Sequence, residues 1–159
     1  MTWFRRGHDA VAPPGPDPAD APDALLRTMF ERVGEINQNA GKLPVEAVVV
    51  AKRVLDAVRE VVETATDREL DIHAVVSVRG ILEDYLPTTL HAYLALDPGS
   101  VNTPRGSGRT PAQSVVEQLE TLWESASDLL EATRAHDADA LLSQGSFLRT
   151  KFSRSDLDL

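Results

Sequence analysis

Two long stretches, Asp67 to Leu96 and Pro111 to Ala135, limit what this chain can fold into more than any other feature. Both repeat apolar residues at three- and four-residue intervals, and a loop rich in Gly, Pro and Ser separates them. That period places the apolar positions on one face of a helix, and two such faces facing each other make a hairpin. The fold expected is all-α: an antiparallel bundle of four to five helices with a long helical hairpin and a disordered N-terminal arm.

The chain has 159 residues, about one domain, and its apolar residues gather between residues 22 and 152. It carries 25 Asp+Glu against 16 Lys+Arg, a formal charge of −9. That balance repels phosphate backbones at long range, so nucleic acid is not an expected partner. With no cysteine, disulfides and thiolate metal sites are excluded. No stretch reaches the ~20 apolar residues of a membrane span. The start of the chain lacks the apolar run of a signal peptide, and a cytoplasmic location is expected.

Residues 1–21 read as a disordered leader, proline-dense from Ala12 to Pro18, with Trp3, Phe4, Arg5 and Arg6 ahead of the prolines. Two aromatics and two cations together suit a short docking motif for a partner or a membrane surface. A first helix is expected from Pro22 or Asp23 to about Asn37, with Leu25, Leu26, Met29, Phe30, Val33 and Ile36 on its apolar face. The second is expected from Pro44 to about Ala65, with Val45, Val48, Val49, Leu55, Val58, Val61 and Val62 turned inward. The third is expected to start near Asp67, capped by Thr66 or Asp67. Pro87 lies within it and predicts a kink near Glu83, or a break. The segment 97–110 reads as a flexible loop. In the fourth helix Thr110 is the expected N-cap and Pro111 the first residue, and Val115, Leu119, Leu122, Ala126, Leu129 and Thr133 form a bundle seam. The last helix is expected from Asp137 to about Phe152, followed by a frayed tail, 153–159.

Chemistry-bearing residues are sparse. Glu69 and His73, one turn apart on the expected third helix, are too few ligands for a metal site, which needs three or four. Glu83, Asp84 and His91 flank the Pro87 kink, where freed carbonyls could form a pocket. Gly106-Ser107-Gly108 lacks the Gly-Lys-Ser/Thr ending of a phosphate loop. No catalytic residue, metal or cofactor is expected.

The segment Ile81 to Leu96, ILEDYLPTTLHAYLAL, resembles a motif of the XpaC family, described as 5-bromo-4-chloroindolyl phosphate hydrolysis proteins. The matching positions are Tyr85, Leu86, Pro87, Thr88, Leu90 and Tyr93. The resemblance implies a phosphate-ester hydrolase by name, and through the family's association with toxic-anion resistance proteins it implies a stress-linked partner role. The residues themselves favour a non-enzymatic interaction or adaptor protein. Its expected contacts are Tyr85, Pro87 and Tyr93 at the kink, with Trp3, Phe4, Arg5 and Arg6 as a secondary arm. Its partner would be another protein or a second copy of the chain, through helices. The alternatives are the hydrolase and a peripheral membrane protein using the aromatic and basic arm.

Overall fold

The computed structural model describes residues 15–152, and among them every regular element is helical. Six α-helices follow one another: α1 (Pro22–Asn39), α2 (Val45–Glu63), α3 (Ile72–Gly80), α4 (Leu86–Leu94), α5 (Pro111–Ala135) and α6 (Ala138–Phe152). A π-helical stretch, Ile81–Tyr85, joins α3 to α4 into one rod, so the bundle has five rods. The expectations for residues 1–14 and 153–159 lie outside the described residues.

Contacts between alternate rods fix the topology. Arg53 of α2 sits over the Trp123 ring of α5 at 3.7 Å, and further along Glu60 pairs with Arg134 at 2.5 Å. Numbers rise together, so α2 and α5 run in the same direction. Ser77 faces Gly145 and Tyr85 faces Phe152, so α3 and α6 are likewise parallel. That alternation is what results when a short connection turns each rod back along the one before it.

At the centre lies α5, packed against α2, α4 and α6. Its expected seam is fully inside, from Val115, Leu119 and Leu122 through Ala126 and Leu129 to Thr133. Over 25 residues it spans about 37 Å. The start is fixed by a capping box, with Thr110 Oγ1 accepting from the Gln113 backbone at 3.1 Å and Gln113 Oε1 from the Thr110 backbone at 3.0 Å. It ends at His136, whose φ of 57° is left-handed.

Several expectations are corrected. On α1 the buried residues are Leu25, Met29 and Ile36, while Phe30, expected on the apolar face, is 64% exposed. On α2 the buried face is Ala47, Val50, Ala51, Val54, Leu55, Val58, Val61 and Val62, while Val45 and Val49 face out. Valine spacing alone misjudged the phase because the small Ala47 and Ala51 let α2 approach its neighbours. Helix α3 starts at Ile72, with the Asp71 side chain accepting from the His73 backbone at 2.8 Å, and neither Thr66 nor Asp67 caps it. Pro87 disturbs the α-helix around Glu83, as its position predicts, but as a π-helical stretch and not as a break. The Leu86 N–H bonds to the Ile81 carbonyl, five residues back, and this wider turn gives the proline ring room above Glu83. The loop 97–110 is built from turns and tied down by Val101, which packs on the core and accepts from the Ala112 N–H at 3.1 Å. Residues 16–21 belong to the fold rather than to a disordered leader. Asp17 caps a 3-10 turn, Pro18–Asp20, and with Asp20 it holds Arg79 of α3, at 3.3 and 3.0 Å.

Two stability effects follow. Leu122→Ala empties a fully buried site in the central helix, and urea unfolding should show a loss of about 2–5 kcal/mol. Glu120→Ala, on the exposed face, should change stability by no more than about 0.5 kcal/mol. Gly80→Ala should also destabilise, because its Cβ would stand 2.7 Å from Tyr85 Cε2. The crowding outweighs the ~1 kcal/mol helix-propensity gain of alanine. Adding Tyr85→Leu should recover part of that loss, and a double variant no better than the sum of the singles would contradict this account.

Candidate docking site

Tyr85, Pro87 and Tyr93 form one constellation, but it lies inside the bundle. All three are buried. The Tyr85 ring covers Gly80 and packs on Phe152 with ring centres 5.7 Å apart. A partner cannot reach them without opening the fold, so the expectation of a surface contact at the kink is corrected. The expected kink and the short motif around Pro87 pointed to these residues, and their bulk serves the core. Trp3, Phe4, Arg5 and Arg6 lie outside the described residues.

Glu69 and His73 do not share a helix, since Glu69 precedes Asp71 in the connecting segment. Among the described residues no three His, Asp or Glu side chains group as a metal site would require. No helix among them is long and apolar enough to cross a membrane. A hollow of about 300 Å³ near Arg68, Glu69 and His136 has a structural reading. The Arg68 guanidinium donates to the Thr133 carbonyl at 2.7 Å and contacts the His136 ring, closing the C-terminal end of α5.

The site that stands out is on the outer side of α3. Ile72 is 60% exposed and Val76, one turn on, is 49% exposed. Beside them opens a cleft of about 490 Å³. One wall is α3 and the segment before it, with Leu70, Ile72 and Val75; the other is the strap of residues 16–22, with Pro16, Pro18 and Pro22. Val75 is buried yet stands apart from the main core cluster, on the cleft side. Leu142 of α6 is also exposed.

Charge at this cleft is negative. Asp17, Asp20 and Glu69 line it, and Asp67 and Asp71 lie close by in the chain. The cation at its edge, Arg79, is held by Asp17, Asp20 and Glu83. The Asp20 hydrogen bond, followed by the charge of Glu83, pushes its pKa above the ordinary arginine range. An apolar slot with an acidic rim suits a segment that presents apolar side chains beside cations.

Sequence reasoning did not single out Ile72 and Val76. Their signal is weak, because they match the helical period and differ from core residues only in phase. The second exposed apolar pair, Val45 and Val49, lies near a hollow lined largely by polar groups such as Asn102, Thr110, Gln113 and Glu117.

No family model, curated protein or solved structure matches this chain.

The buried tyrosines give the fold a pH dependence. Burial raises the Tyr85 pKa, the Asp84 charge adds to this and Arg149 opposes it; burial alone raises that of Tyr93. A raised folded value means the stabilising contribution is complete below the ordinary phenol pKa of ~10 and is lost as pH climbs through the folded value. Urea midpoints measured from pH 8 to 11 should fall at the alkaline end. The fall should be shallower in Tyr85→Phe/Tyr93→Phe, and an unchanged slope would contradict the assignment.

Proposed function

We propose that this protein is a helical interaction module that acts by docking and not by catalysis. The observation that carries the reading is the exposed crest of Ile72 and Val76 beside the cleft walled by Pro16, Pro18 and Pro22. Other apolar side chains, Val45 and Val49 among them, are also exposed, but only Ile72 and Val76 stand beside a cleft with further apolar walls, Leu70 and Val75. A surface of this kind fits a protein segment with apolar side chains and adjacent basic groups. The resemblance of Ile81–Leu96 to the XpaC family supports extending the reading to a stress-linked partner, since that family is associated with toxic-anion resistance proteins.

A photo-crosslinking residue placed at position 72 or 76 of the full chain should, in the native cell, yield a covalent adduct with a second protein. The same residue at Glu120 should yield none. Equal adducts from all three positions would remove the docking face. Purified protein should not turn over a chromogenic phosphate ester with or without divalent ions. Robust turnover abolished by Glu69→Ala or His73→Ala would replace docking with hydrolysis.

A further inference from the structure

The chain enters its own candidate cleft. Pro16, Asp17 and Pro18 form part of the lining, so the 14 residues before residue 15 meet the fold at the cleft's rim. Those residues include Trp3-Phe4-Arg5-Arg6, the aromatic and basic cluster nearest in sequence to this acidic, apolar slot. The twelve positions from Phe4 to Pro16 can span about 40 Å when extended, ample reach to fold back across a surface that begins at Pro16.

Chemistry matches at both ends. The slot offers Leu70, Ile72 and Val75 to an aromatic pair, and its volume of about 490 Å³ lies within the range of clefts that enclose an organic group of that size. Asp17, Asp20 and Glu69 then stand at the rim for Arg5 and Arg6. A tethered segment also has an effective concentration near millimolar, so a modest intrinsic affinity suffices.

We propose that the cleft beside α3 is the seat of the chain's own N-terminal segment, with Trp3 and Phe4 against Ile72 and Val75, and Arg5 and Arg6 against the acidic rim. An outside partner would then have to displace this arm. The proposal rests on the docking reading for the face, and adds its occupant.

The chain holds three isoleucines, Ile36, Ile72 and Ile81, and only Ile72 is exposed, which makes a selective probe. Methyl NMR of the isotopically labelled full chain should show the Ile72 δ1 signal displaced by the aromatic rings. Trp3→Ala/Phe4→Ala should abolish that displacement while Ile36 and Ile81 stay in place. In a Trp123→Phe background, Trp3 should be shielded from acrylamide, and Ile72→Glu should remove the shielding. An Ile72 signal unmoved by the arm substitution overturns the proposal, as does equal movement of all three isoleucines. A displacement that fades on dilution assigns the cleft to a second copy and also overturns it. So does a Trp3 shielded only when anionic vesicles are added, which gives the arm to a lipid surface. The crosslinker at Ile72 or Val76 tells the two readings apart: an arm seated in the cleft gives an adduct within one chain, a docked partner gives an adduct between chains, and equal adducts at 72, 76 and 120 remove the docking face whatever the arm does.

Discussion

Burial of the α5 seam is the interaction on which the rest of the structure depends. Val115, Leu119, Leu122, Ala126 and Leu129 are all fully enclosed, and they are enclosed by three different rods. A helix used on three sides must have its ends satisfied, or its orphan backbone groups would be left in a nearly dry interior. The Thr110–Gln113 capping box does this at one end. Arg68, reaching the Thr133 carbonyl and His136, does it at the other. The connections follow from the same requirement, since Val101 pins the loop before α5 and Asp137 caps α6 directly after it.

The rod formed by α3, the π-helical stretch and α4 solves a different problem. Pro87 removes a donor and crowds the turn before it, yet Tyr85, Leu86 and Leu90 on either side must all point inward. A single wide turn absorbs the misfit while these side chains stay in the core. It also moves the helical phase, so that Tyr85 comes to lie over Gly80. A larger residue than glycine at position 80 would collide with the ring. One proline, one glycine and one tyrosine thus form a single packing unit.

Much of this was legible in the sequence where the signal was redundant. For α5, the Thr110-Pro111 start, the four-and-three spacing and the helix end all agree, and the structure follows them residue by residue. On α2 the phase was misjudged because valine dominated the reading while alanine does much of the close packing. The start of α3 was misplaced because Asp67 and Asp71 are both competent caps. Only tertiary contact distinguishes them: Leu70 packs on the core from a non-helical segment. The site was legible least of all. Ile72 and Val76 have the hydrophobicity and the spacing of core residues, and what sets them apart is that no rod covers them. Conversely, Tyr85, Pro87 and Tyr93 looked like a surface motif because they cluster in sequence, although aromatic side chains beside a proline are as useful inside a bundle.

The position of the cleft ties these strands together. Its floor is α3, whose other faces are committed to α6 and to the rod's own core contacts, so its outer face is the part of the rod that no helix covers. Its second wall is the strap of residues 16–22, held by Asp17 and Asp20 on Arg79. Those ion pairs are partly exposed, and pairs near the surface contribute little stability, about 0–1 kcal/mol each. At its other end the strap runs into α1, where the Ala21 carbonyl accepts from the Ala24 and Leu25 N–H groups and Leu25 is buried. The fastening carries negative charge on the same side chains that face the slot. A cationic segment entering the slot competes with Arg79 for Asp17 and Asp20, so occupancy and the hold of the strap are opposed through shared carboxylates.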